Sequence, residues 1–167
     1  DTILPNSQVP LHTFFTPAST TIPCTWLQNP TVAPSAIAYY GFDSKIPGWQ
    51  NSLLMTTLKE GTVFRLKLGA DGSSFVQLSN GADTARYFRE ENRYRDIAIG
   101  SDGLTFYLLT DSIGRTSGPT SGNTNILLNH GSILVYKYTG ATLSLNDPTT
   151  AILNVKKLVR LYPNPAT

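Results

Sequence analysis

Apolar residues occur in short runs about ten residues apart, separated by turn-forming residues. The clearest run is TVFRLKL at 62–68. There Val63, Arg65 and Lys67 alternate with Phe64, Leu66 and Leu68, the two-residue period of a half-buried strand. AIAYY at 36–40 and SLLMTT at 52–57 precede it as further strand candidates. Asp71-Gly72 marks a turn, and 75–78 follows as a candidate strand. Ser101-Asp102-Gly103 reads as a hairpin turn between strands at 97–99 and 104–109. Asn129-His130-Gly131 likewise separates 126–128 from 133–138, and 155–162 reads as a last strand.

The intervening stretches are weaker. Residues 1–34 carry Pro at 5, 10, 17, 23, 30 and 34, which allows short strands and loops but no long helix. Residues 112–124 read as a long exposed loop, and 140–153 have little periodicity. Many short strands with tight turns predict an all-β chain: a sandwich, a barrel or a propeller. The Asp-Gly turns at 71 and 102 hint at a repeat of 31 residues, too weak to define one.

Composition supports this picture and removes several functions. The chain has 167 residues, room for one domain, with 13 Gly, 11 Pro, 8 Tyr and 7 Phe. A net charge of +2, with Glu90, Glu91 and Asp96 among the arginines, forms no basic stripe for nucleic acid or an anionic membrane. No apolar run approaches the ~18–20 residues of a membrane-spanning helix. The opening DTILPNSQVP lacks the basic and apolar regions of a signal peptide, so a mature or excised chain is expected. Cys24 has no internal partner. It is a buried thiol, a thiol whose partner lies on another segment, or a nucleophile, and only His12 and His130 exist to activate it. His12 sits in a Pro/Thr-rich segment and His130 in a turn, which makes both bystanders. Trp26 and Trp49 read as packing residues.

The chemistry concentrates at Asn92-Arg93-Tyr94-Arg95-Asp96. In an extended chain Arg93 and Arg95 share one face and Tyr94 points the other way, toward the core. Two readings are open: a surface pair neutralised by Glu90, Glu91 or Asp96, or a pair that receives an anionic ligand. Lys59 taken alone is a solvated turn lysine.

Four segments together carry a resemblance. PTVAPS (30–35), GWQNSLLMTTLKEGTVFRLKL (48–68), NRYRDIAIGSDGLTFYLLTD (92–111) and GSILVYKY (131–138) occur in this order. They resemble the C-terminal third of the soluble quinoprotein glucose dehydrogenases, the glucose/sorbosone dehydrogenase family, over roughly residues 20–138. The resemblance implies a six-bladed β-propeller using pyrroloquinoline quinone (PQQ) and Ca2+, of which residues 1–155 would supply two to three C-terminal blades. It implies that Thr31 donates a hydroxyl to the quinone cofactor and that Lys59 meets a cofactor carboxylate. Arg93 and Arg95 would hold PQQ by charge and stacking, and Asp111 would belong to the same polar shell. A planar tricarboxylate does call for guanidinium forks and a lysine point charge. The family's catalytic histidine and most calcium ligands lie on upstream segments, so neither a catalytic base nor a metal ligand is expected here. Where well-known members carry an aromatic residue before the PTVAPS-type motif, this chain has Asn29, with Trp26 three residues back.

The implied function is oxidation of an aldose at C1 to a lactone, with this chain inactive alone. A non-catalytic cell-surface propeller that binds carbohydrate or protein is the rival. Exposed strand edges would pack against missing N-terminal blades or a second copy. YPNPAT at 162–167 resembles the opening of a type IX secretion sorting domain of Bacteroidetes-like bacteria, so 156–167 are expected to be a linker and the start of that domain, on a secreted or cell-surface protein.

Overall fold

The computed structural model describes residues 11, 12, 14, 32–77, 82, 84–112 and 127–140, together with the backbone of 156–160. Every regular element among these residues is a strand. They are β1 (Pro34–Tyr40), β2 (Ser52–Thr57), β3 (Val63–Lys67), β4 (Thr84–Tyr87), β5 (Tyr94–Ile99), β6 (Thr105–Thr110), β7 (Ser132–Lys137) and β8 (Lys156–Arg160). Each pairs antiparallel with the next to form two four-stranded sheets, β1-β2-β3-β4 and β5-β6-β7-β8. The protein is therefore all-β, as its alternating runs predict.

Seven of the eight strands fall on the runs read from sequence, and three details differ. Of the candidate strand at 75–78, the described residues 75–77 form only one bridge, between Phe75 and Leu68. Asp71 explains why: its carboxylate accepts from the backbone N–H and hydroxyl of both Ser73 and Ser74, closing a local turn. The fourth strand of the first sheet is instead β4, a polar four-residue segment with only Ala85 and Tyr87 turned inward. Residues 127 and 128 form no strand; the Leu128 N–H donates to the Glu91 carbonyl at 3.0 Å.

The repeat also differs. Asp71-Gly72 follows β3, whereas Asp102-Gly103 joins β5 to β6. The true period runs sheet to sheet, from Pro34 at the start of β1 to Tyr94 at the start of β5, sixty residues on.

One core lies between the sheets. Tyr40, Trp49, Leu54, Val63 and Tyr87 from the first meet Tyr94, Ile97, Phe106, Leu108, Leu134 and Tyr136 from the second. Rings tile this contact: Trp49 lies 4.6 Å from Tyr87 and 5.3 Å from Phe106, and Phe88 lies 4.5 Å from Tyr136. Such ring pairs add about 0.5–1.5 kcal/mol each beyond the area they bury. Trp49 is thus a packing residue.

β3 is not half-buried. Val63 faces the main core, while Phe64 and Leu66 join Val32 and Met55 in a second cluster on the other face. Arg65, expected on a solvated face, is 6 % exposed. Its guanidinium lies 5.5 Å from the Trp49 ring and 5.9 Å from Tyr87, and Nη1 donates to the Gly48 carbonyl at 2.6 Å. Aromatic faces and one carbonyl replace the water this cation gives up.

Candidate functional site

The candidate site residues gather at one end shared by the two sheets. Ser35 Oγ donates to the Tyr94 carbonyl at 2.6 Å, near the starts of β1 and β5. Tyr40 OH donates to the Gly103 carbonyl at 2.6 Å, near their far ends. β1 and β5 therefore run side by side in one direction, and the turns after β2 and β6 fall at the end where both strands start.

Backbone bonds there repeat from sheet to sheet. Leu58 N donates to the Ala33 carbonyl and Asp111 N to the Arg93 carbonyl, both at 2.9 Å. Thr57 Oγ1 donates to the Thr62 carbonyl and accepts from its N–H, at 2.8 and 3.2 Å. Thr110 Oγ1 does the same with Ser132, at 3.1 and 2.9 Å. Asp111 thus occupies in the second sheet the place of Leu58 in the first, and Arg93 the place of Ala33. Ala33 has φ 54, a left-handed backbone unusual for a residue with a side chain.

The pairing skips one residue in each first strand: Ser35 between Pro34 and Ala36, and Arg95 between Tyr94 and Asp96. These bulges free a side chain from the pleat and re-aim it. Ser35 is turned to the seam, where it also bonds Thr56 Oγ1 at 2.8 Å. Arg95 is turned to the same carboxylate as Arg93.

That carboxylate is Asp111. Its Oδ2 accepts from Arg93 Nε at 3.0 Å and from Arg95 Nη2 at 2.9 Å. The Arg93 side chain is 11 % exposed and that of Arg95 49 %. Burial alone would push the Asp111 carboxyl up. Hydrogen bonds and charge from Arg95 and Arg93 outweigh burial and hold it below its ordinary value. Asp96, one of the acids expected to neutralise the pair, accepts instead from the neighbouring Ile97 N–H. Tyr94 points away as expected, fully buried, its hydroxyl donating to the Phe88 carbonyl at 2.6 Å.

Lys59 follows the β2 turn, partly buried, and its N–H donates to the Val32 carbonyl at 3.2 Å. TTLKEG is thereby fastened to PTVAPS at the same end of the sheets as the arginines. Thr31, Cys24, Trp26 and Asn29 lie outside the described residues. His130 is exposed, with Nδ1 3.3 Å from the Ser112 carbonyl. His12 packs edge-on to Phe14 and Phe75 beside an apolar cavity of about 410 Å³ lined also by Ile37, Leu53, Met55 and Leu66. Among the described residues no three His, Cys, Asp or Glu cluster as a metal site, and no helix is long and apolar enough to cross a membrane.

The donor set suits an anion with several acceptor atoms. Each guanidinium has five N–H donors, and the Asp111 carboxylate engages one from each. A half-exposed planar guanidinium also offers a stacking face. Sequence reasoning missed Ser35 and read Glu90 and Glu91 only as acids for the arginine pair, because the partners are distant in sequence: Thr56 and Tyr94 for Ser35, Asn129 and Tyr136 for 90–92.

The family model for glucose/sorbosone dehydrogenase matches residues 10–118, which include Lys59, both arginines and Asp111. The chain belongs to this family. Among curated proteins it is similar to quinoprotein glucose dehydrogenase B of Acinetobacter calcoaceticus, 39 % identical over 115 residues. That match covers 68 % of this chain and 23 % of the relative, so the chain spans under a quarter of the relative's length.

Proposed function

We propose that the intact protein is a PQQ-dependent sugar dehydrogenase and that this chain builds one side of its quinone site. The observation that carries the reading is the convergence of Arg93 and Arg95 on Asp111 at the shared end of the sheets. When bound, PQQ would supply an ortho-quinone able to accept the hydride from C1 of an aldose, giving a lactone. Arg93, held by Asp111, would present fixed charge to a cofactor carboxylate. Arg95, half exposed, would stack on the planar ring. Lys59 would add a point charge, and Thr31 a hydroxyl donor. Cations placed there in advance favour the negative charge that develops on a quinone as it is reduced. The proton-accepting base and the Ca2+ ligands would come from other segments of the intact protein.

In the same reading the two meanders are successive C-terminal blades of a six-bladed propeller. Their order in the chain and the side-by-side first strands support it. The outer face of the first sheet, with Ile37 62 % exposed beside the apolar cavity, would meet a preceding blade or a second copy. YPNPAT would lead into a sorting domain for export.

The test is reconstitution of the full-length protein with PQQ and Ca2+, followed by dye reduction over several aldoses. A PQQ absorbance shift and turnover are expected. Absence of both would leave a carbohydrate- or protein-binding module.

A further inference from the structure

Segment 88–93 joins the two sheets and ends at Arg93, the first of the two arginines. It crosses Gly61 with no room to spare. Gly61 has φ +55, and a Cβ there would stand 2.0 Å from the Glu90 carbonyl oxygen and 2.6 Å from that of Asn92. The Glu90 N–H donates to the Gly61 carbonyl at 3.0 Å, and the Asn92 N–H to the Glu90 carbonyl at 2.8 Å.

Side chains fasten the segment to the second sheet. Glu90 Oε2 accepts from Asn92 Nδ2 at 2.8 Å and from Asn129 Nδ2 at 3.3 Å. Its Oε1 accepts from Tyr136 OH at 3.2 Å. Asn92, 4 % exposed, turns its Oδ1 to the Asn129 N–H at 3.0 Å. One carboxylate thus gathers three donors, and Asn92 immediately precedes Arg93. Burial, with the Glu90 charge behind it, pushes the Tyr136 hydroxyl well above its ordinary value, so it stays protonated and able to donate. Removing the acceptor would strand three donors in a partly dry seam, each costing more than an ordinary lost hydrogen bond.

We propose that Glu90 is a positioning residue for Arg93. By accepting from Asn92, Asn129 and Tyr136 it fixes the backbone from which the Arg93 guanidinium reaches Asp111. No contact between Glu90 and cofactor is needed. The consequence for PQQ rests on the quinone-site reading above; the consequence for Arg93 does not.

The full-length protein, labelled with 15N-arginine, separates the two. Without cofactor, Glu90→Ala should displace the Arg93 Nε–H resonance. Glu90→Gln should leave it near the parent position, because an amide oxygen can take the two asparagine donors while its NH2 turns to the tyrosine hydroxyl. With PQQ, Glu90→Ala should weaken binding roughly tenfold or more, the scale expected when a binding group shifts by a fraction of an ångström to an ångström, and Glu90→Gln should restore it. If Glu90→Ala does not fold, Glu90→Asp serves, since it keeps the charge and withdraws the acceptor by one methylene. An unmoved Arg93 resonance in Glu90→Ala, or in Glu90→Asp where that replaces it, overturns the proposal. A resonance displaced equally in Glu90→Gln and Glu90→Ala overturns it too, because lost charge alone would then suffice. A parent protein that binds no PQQ refutes the cofactor reading while the resonance still decides the role of Glu90.

Discussion

Replacing Asp111 with alanine removes the single oxygen on which both arginines converge, and the loss can be apportioned. The Arg93 pair is largely shielded from water, so its charge-assisted hydrogen bond contributes about 1.5–3 kcal/mol. The Arg95 pair is half in solvent and contributes about 0.2–1 kcal/mol. Asp111→Ala should therefore destabilise the fold by about 2–4 kcal/mol, a fall in Tm on the order of 10 °C for a chain of this size. Asp111→Asn keeps an acceptor but not the charge, and should lose about half as much. Urea unfolding monitored by tryptophan fluorescence gives the difference directly. In 1 M NaCl, where the Debye length is ~3 Å, the gap should shrink by no more than about 1 kcal/mol, since only the Arg95 share is screened. The folded-state pKa of Asp111 is depressed, so its contribution is present above the ordinary carboxylate value and lost as pH falls through the lowered one. The gap between parent and Asp111→Ala should therefore be flat from about pH 5 to 8 and close in more acid solution. A low-salt difference below about 0.5 kcal/mol, or one erased by 1 M salt, would refute the idea that Asp111 organises the pair.

Two further outcomes follow from the core. Arg65→Ala should cost about 3–5 kcal/mol, from a lost charge-assisted bond to Gly48, two ring contacts and a cavity; Arg65→Met, which keeps the packing stem, should cost clearly less, and equal losses by urea unfolding would contradict the packing account. Burial, with the Asp102 charge adding to it, pushes the Tyr40 hydroxyl up to about 12, so its share of stability is complete below the ordinary value near 10 and is lost as pH climbs through about 12. Denaturant midpoints taken across that window should fall in the parent and fall less in Tyr40→Phe; parallel profiles would count against the assignment.

How much of this was legible in the sequence depended on the distance between partners. β1, β2, β3 and β6 announce themselves by local runs bounded by glycine or polar turns, and Tyr94 by its alternation with two arginines. β4 did not, because Thr84-Ala-Arg-Tyr has three small or polar residues in four and gains its place from β3. Arg65 misled for a related reason. Period two separates two faces but does not say that both are covered, and the ring pair that accepts the cation comes from positions 49 and 87. At the site, Arg93, Arg95 and Asp111 were each visible as residues, while their convergence was not. It needs a bulge at Arg95 and an antiparallel partner sixteen residues away. The acids close by in sequence were the natural suspects for neutralising the pair, yet the carboxylate that does so is the one the β5–β6 hairpin returns to it.

The paired bulges at Ser35 and Arg95 carry a consequence for how such a protein can change. A residue outside the pleat is exempt from the alternation that ties every other position in its strand to the core or to solvent. The same backbone socket holds a small hydroxyl in one sheet and a cation in the next, with flanking register intact. In the quinone-site reading proposed above, substitutions in the Arg95 socket would alter what the shared end of the sheets meets without shifting the strand register. Under that reading, ligand preference would become a variable largely separate from strand register, open to change by selection or by design.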